Sequence, residues 1–308
     1  MDFHRFYRRV APGCPWIRLL AVSWLALAAA TAQAAKGFGS PEAAMDAFGD
    51  AVLRNDEPAL REMFGKDFRD VIPSVDAKVR QTFDAEWNRS HTVARTGDAR
   101  ADIVVGDSGW TLPIPLVRNG QGWHFDMNAG AEEMRARRIG RNELAAIQTM
   151  LAIYDAQREY AQTDHDGQGM LTYAARIVSS PGKRDGLYWP TAPGEAPSPL
   201  GAAFADAGGR NAAGAGYHGY RYKLLDAQGA HAPGGAYSYI ARGKLFGGFA
   251  VIAWPVLYGD TGIKSFMVSH AGQVYERDLG PDSAARAEQV RSFDPGPGWS
   301  KVSADDSD

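Results

Sequence analysis

The sequence predicts an α+β protein. Helical segments come first, a long helix sits in the middle, and an antiparallel sheet of about four strands closes the chain. Three observations predict it. "SPEAAMDAFGDAVLRND" and "DEPALREMFG" carry helix-start and helix-stop residues around apolar faces. Residues 131–163 carry an apolar stripe at i, i+3, i+4 spacing. From residue 249 onward, short β-branched and aromatic runs alternate with tight turns.

The first 35 residues read as a secretory leader. Arg5, Arg8, Arg9 and Arg18 precede or flank the apolar run "LLAVSWLALAAA", and "AQA" supplies small residues for cleavage. The run is too short to cross a bilayer comfortably. Cleavage after Ala34 leaves 274 of the 308 residues, enough for one large or two ordinary domains. It also removes four of 33 basic and one of 36 acidic residues, giving a net charge of −6 with histidine neutral. That balance argues against nucleic acid held by phosphate neutralisation and gives no support to docking on anionic lipid. The single cysteine, Cys14, leaves with the leader, so the mature chain has no thiol, disulfide or thiolate metal site. No later run is long enough to cross a membrane. The expectation is an exported protein, periplasmic or secreted.

Along the mature chain, Ser40 caps a helix with Pro41 at its first position and Ala44, Phe48, Ala51 and Val52 on one face. A shorter helix runs from Asp56 to Gly65. Strands follow at Asp102–Gly106, Trp110–Val117 and Trp123–Met127, with "RNGQG" as a turn. Pro113 and Pro115 place their strand at an edge or bend it. Two helices and a meander closed by "GQGWHFDM" resemble NTF2-like domains, which are cone-shaped α+β folds. That resemblance implies a cone able to hold a small ligand.

The long helix, Ala131–Thr163, places Leu144, Ile147, Met150, Leu151 and Tyr154 on one face, and Gly140 is expected to divide or kink it. Residues 179–248 are dense in glycine and proline, with strands at Tyr220–Leu225 and Tyr237–Arg242. Phe249–Tyr258, Lys264–Ser269 and Gln273–Arg277 complete the sheet, with a turn at His270–Gly272. Burying one helix stripe on one sheet face is the economical arrangement. The organisation reads as a leader (1–35), an NTF2-like module (36–128), a helix-on-sheet module (129–300) and an acidic tail (301–308).

"WTLPIPLVRNGQGWHFDMNAG", "RRIGRNELAAI", "GKRDGLYWP", "YHGYRYKLL", "QGAHAPGGAYSYI" and "GGFAVIAWPVLYGDTGIKSF" resemble the bacterial domain-of-unknown-function family 2950. The resemblance covers nearly the whole mature chain. It implies an exported envelope protein and no assigned activity. The run "LAAIQTMLAIYDAQREYAQTDHDGQG", with "GYRYKLL" and "FAVIAWPVLYGDTGIKSFMVSHAGQVY", is also similar to the globular head of type IV pilin-like proteins. The chain lacks the apolar half-helix and processing site that insert a pilin into membrane and filament.

Several short patterns carry possible chemistry. "DHDGQG" puts Asp164, Asp166 and Gln168 at alternate positions of a calcium loop, the only cofactor candidate in the chain. Gln168 replaces an acidic or amide ligand and Ala175 stands where a bidentate glutamate belongs, which favours a polar helix-terminating loop. "DTG" at Asp260–Gly262 is one copy of a motif whose chemistry needs two carboxylates. Ser180 and Lys183 have S-x-x-K spacing, but Pro181 and Gly182 oppose the helix that pairing needs. His91, His124, His165, His218, His231 and His270 form no metal-ligating pattern.

The most suggestive surface joins "KRDGLYWP" to "YHGYRY": Lys183, Arg184, Asp185, Tyr188, Trp189, His218 and Tyr220, on glycine-rich loops where recognition residues tend to sit. The alternative is that these aromatics pin the long loop to the sheet. Together these features predict a non-catalytic interaction or assembly module for an envelope protein or cell-wall polymer. Two alternatives stand beside it. One is a cell-wall glycan or peptide hydrolase using Asp185 and His218 as acid and base. The other is small-ligand capture in the cone.

Overall fold

The computed structural model describes residues 36–202, 204 and 216–303. The expected leader and residues 304–308 of the expected tail lie outside them. The protein is α+β, with two antiparallel sheets joined by one long helix.

Helix α1 (Pro41–Arg54) starts where Ser40 Oγ accepts the Ala43 N–H, and it buries Ala44, Phe48 and Ala51. Helix α2 (Glu57–Phe64) starts on Asp56 in the same way and buries Leu60, Met63 and Phe64. A third helix, α3 (Ala77–Arg89), and the strand after it, β1 (His91–Arg95), have no counterpart in the sequence reading. Strand β2 (Arg100–Val105) alternates outward and inward residues, with Ala101, Ile103 and Val105 facing the helices.

The strand expected at Trp110–Val117 divides into β3 (Trp110–Thr111) and β4 (Leu116–Asn119). Pro113 and Pro115 lie in the gap and have no N–H for the ladder. Strand β5 (Gly122–Phe125) completes a sheet in the order β1-β2-β4-β5, with β3 paired to β2.

Helix α4 (Met127–Tyr160) is continuous over 34 residues, about 50 Å at 1.5 Å per residue. It starts earlier than expected because Asp126 accepts the N–H groups of Asn128 and Ala129. Gly140 neither divides nor ends it. The helix takes part in both cores. Met127 and Met134 pack on the first, while Ile147, Met150 and Ile153 are buried in the second. The boundary expected at residues 128–130 therefore falls inside a helical turn.

Strands β6 (Arg176–Val178) and β7 (Gly186–Tyr188) form a short parallel pair. The main C-terminal sheet begins at β8 (Tyr220–Leu225). Short segments β9 (Ala227–Gln228), β10 (Tyr237–Ser238), β11 (Ile240–Ala241) and β12 (Lys244–Leu245) follow as two small hairpin-like pairs. They replace the single strand expected over Tyr237–Arg242. Strands β13 (Ala250–Pro255), β14 (Lys264–Ser269) and β15 (Val274–Asp278) then form the expected meander. Helix α5 (Ser283–Gln289) and edge strand β16 (Ser300–Lys301) finish the fold, with Lys301 opposite Tyr275.

The sheet order is β16-β15-β14-β13-β8, four strands of ordinary length plus a two-residue edge. Val251, Ala253, Phe266 and Val268 face α4, as expected of the helix-on-sheet packing. Ala250, Ile252 and Met267 face the opposite way, against Leu245, Ala287 and Phe293. Every residue of β13 is buried, because the sheet is covered on both sides. Each fully buried side chain of this size contributes about 1.5–3 kcal/mol by leaving water.

Candidate functional site

The loop between β6 and β7 holds most of the residues singled out in the sequence. Ser180 closes it by donating its N–H and Oγ–H to the Asp185 carboxylate at 2.7 and 2.8 Å. Burial works to raise the Asp185 pKa. The Ser180 bonds and the Arg176 guanidinium, 3.7 Å away, hold it below the usual carboxylate range. Ser180 therefore answers to Asp185 and not to Lys183, whose N–H closes the turn on Ser180 O. Arg184 lies over the Trp189 ring, 5.4 Å from its centroid, and its carbonyl accepts the Tyr160 hydroxyl at 2.6 Å. Trp189 is only 8 % exposed and meets His165 and Tyr160 edge-on. It anchors the loop to the C-terminal turn of α4. Burial, with the Asp185 and Asp166 charges, pushes the Tyr160 hydroxyl up to about 12. Tyr188 is half-buried against the second core.

His218 and Tyr220 belong elsewhere. His218 (φ 50°) and Gly219 (φ 75°) form the two-residue turn closed by Tyr217 and Tyr220, a conformation suited to left-handed residues. Tyr220 is fully buried and donates its hydroxyl to Lys264 O at 2.9 Å. Burial, and then the Glu143 charge, raise its pKa strongly. A Cβ at Gly219 would lie 2.7 Å from Asn142 Nδ2. Asp185 thus sits beside the Tyr160 end of α4 and His218 beside Asn142, eighteen residues away. The helix rises about 27 Å over that span. The expected acid–base pair of Asp185 and His218 does not form, since general acid–base work needs groups within reach of one proton.

The other sequence candidates resolve into structural contacts. Asp164 accepts the N–H groups of Asp166, Gly167 and Gly169, and Asp166 pairs with the Lys244 ammonium while accepting the Gln168 N–H. The backbone bond from Gly169 leads the causes that lower the Asp164 pKa. Both carboxylates face donors of this chain's own, and an ammonium stands where a second cation would have to sit. No group of three or more metal-ligating side chains occurs among the described residues. Asp260 of the single "DTG" pairs with Arg138 in a turn gripped by Asn142, which donates to Thr261 O.

The space between α1–α3 and the first sheet, where a ligand was expected, is filled by aromatic rings. Phe48 meets Phe64, Trp87 and Phe125 at centroid distances of 5.6–5.9 Å. A cleft of about 420 Å³ opens instead on the other side of that sheet, against the first turns of α4. The interruption at Pro113 and Pro115 forms part of its lining, and Arg100, Asp102, Thr111, Glu132 and Arg137 supply its polar groups. Arg137 donates to Thr111 O, Thr111 Oγ1 and Glu133 at 2.7–2.8 Å, and lies over the exposed Trp110 ring. These residues escaped the sequence reading because they come from two segments some 30 positions apart. The only local signal was the outward-facing pair Arg100 and Asp102 on β2.

A second exposed feature is apolar. Tyr237, Ile240 and Phe246 lie within β10–β12 and the residue after it, and are 39, 44 and 56 % exposed. The neighbouring Tyr239 and Leu245 are buried and fix this segment to the sheet. No helix among the described residues is long and apolar enough to cross a membrane.

No curated protein and no solved structure matches the chain. A family model described as "Protein of unknown function (DUF2950)" matches residues 35–302, which spans both sheets and the helix between them. The chain therefore belongs to the DUF2950 family.

Proposed function

We propose that this is an exported, non-catalytic envelope protein that recognises a partner through the segment Tyr237–Phe246. The observation that carries the reading is the exposure of Tyr237, Ile240 and Phe246 on a segment whose neighbouring residues, Tyr239 and Leu245, are locked into the core. Exposed aromatic and aliphatic side chains on a rigid support suit a recognition surface, because little conformational freedom is lost on binding. The leader-like residues 1–35 support export. The partner class is an envelope protein or a cell-wall polymer.

A photo-crosslinking residue placed at Ile240 tests this in intact cells. A discrete adduct that disappears with Phe246→Ser supports a protein partner. Co-sedimentation with isolated cell wall, lost in the Ile240→Ser, Phe246→Ser double variant, supports the polymer. Equal behaviour of wild type and variants in both assays removes the proposal.

A further inference from the structure

We infer that the cleft between the first sheet and the start of α4 binds a small zwitterion: a dipeptide carrying both a carboxylate and an ammonium group. The site is independent of the Tyr237–Phe246 segment and of any partner held there.

The argument rests on which charges in the cleft are already used. Arg137 and Glu133 neutralise one another, and Arg137 is further fixed by Thr111. Arg100, on β2, and Glu132, on α4, both line the cleft and make no side-chain hydrogen bond or ion pair with any described residue. Asp102 has only a 3.5 Å contact from Thr96 Oγ1. One free guanidinium and two largely free carboxylates therefore share a space of about 420 Å³, inside the range of about 300–1,000 Å³ usual for small-molecule sites.

Charge selects the ligand class. A guanidinium holds a carboxylate through two parallel N–H···O bonds, and a carboxylate holds an ammonium by charge-assisted bonds. A ligand with both groups satisfies Arg100 on one side and Asp102 or Glu132 on the other. A phosphate would meet one cation but two carboxylates, and the like charges would repel it. The apolar part of the lining, including Leu112 and Pro113, suits the side chain of such a ligand.

Calorimetric titration of the purified protein with a panel of dipeptides bearing apolar, basic and acidic side chains tests the inference. Saturable binding is expected for at least one. Amidating the carboxylate and acetylating the amine of that dipeptide should each weaken binding by about tenfold or more, equivalent to about 1.4 kcal/mol. Arg100→Leu should weaken the unmodified dipeptide equally and abolish the difference between acid and amide. The Asp102→Asn, Glu132→Gln double variant should do the same for the acetylated form. None of the three side chains is buried, and far-UV circular dichroism checks that the variants stay folded. The ligand-modification arms need no variant at all. Absence of saturable binding by every dipeptide, or equal binding of acid and amide by the wild type, overturns the inference.

Discussion

Gln157 exchanges both hydrogen bonds of its side-chain amide with the backbone of Ala174. Its Nε2 donates to Ala174 O at 2.9 Å and its Oε1 accepts Ala174 N–H at 2.8 Å. Both residues are fully buried. The side chain thus acts as one rung of a ladder, tying the loop after α4 back onto the helix. Gln157→Leu would leave a donor and an acceptor buried without partners, at about 1–3 kcal/mol each. A loss of about 2–6 kcal/mol in urea unfolding is expected. A loss below about 0.5 kcal/mol would mean that water replaces the amide.

Two helical glycines should respond oppositely to alanine. A Cβ at Gly140 meets nothing within 4 Å, so Gly140→Ala should stabilise by about 1 kcal/mol through helix propensity alone. A Cβ at Gly49 would lie 2.3 Å from the Trp87 ring, which is wedged against Phe48 and Phe83 and stacked on His91. Gly49→Ala should destabilise by about 1–3 kcal/mol from overpacking, despite the same gain in propensity. Thermal unfolding of both variants reads the two signs.

The His270 imidazole has its pKa lowered by burial, with the Phe249 backbone opposing, and Nδ1 has no partner among the described residues. Its ring faces Tyr239 and Phe249, with the Tyr237 hydroxyl 3.4 Å from Nε2. Near the ordinary histidine pKa the unfolded chain binds more protons than the folded one. This contribution to stability is therefore complete above about pH 6.5 and is lost as pH falls toward the folded pKa. Melting temperature should fall as pH drops below about 6.5, and less steeply in His270→Gln. Parallel curves for the two proteins would remove the assignment to this ring.

Calcium should not matter. With Asp164 occupied by backbone N–H groups and Asp166 by Lys244, millimolar Ca²⁺ or a chelator should leave the melting temperature unchanged. A clear upward shift with Ca²⁺ would show that the Lys244 ammonium is displaced.

What could be read from residues alone followed the strength of local signals. Strands β8 and β14 have the bounds expected, because apolar runs meet turn residues at both ends. Helix α2 stands between its expected cap residues, Asp56 and Gly65. Helix α3 went unseen because Trp87 is its one buried residue, so no apolar stripe marks it. Strand β1 failed for a related reason, since only Val93 is even half-buried. Gly140 misled in the other direction. Its cost of about 1 kcal/mol is small beside the packing that holds the helix at both ends. The cleft was illegible because Arg100 and Glu132 meet only through topology. Asp185 and His218 paired on paper because loop composition carries no distance.

The uninterrupted rod of α4 couples the two halves of the molecule mechanically. Met134 closes one interior and Met150 the other, on a single span with no joint between them. Severing the backbone near Gly140 would leave each sheet with the helical turns that cover it, so the link between the halves is the unbroken helix itself, helped by the Arg138–Asp260 pair. A chain cut there should accordingly melt in two steps where the intact chain melts in one, since the rod no longer carries unfolding from one sheet to the other.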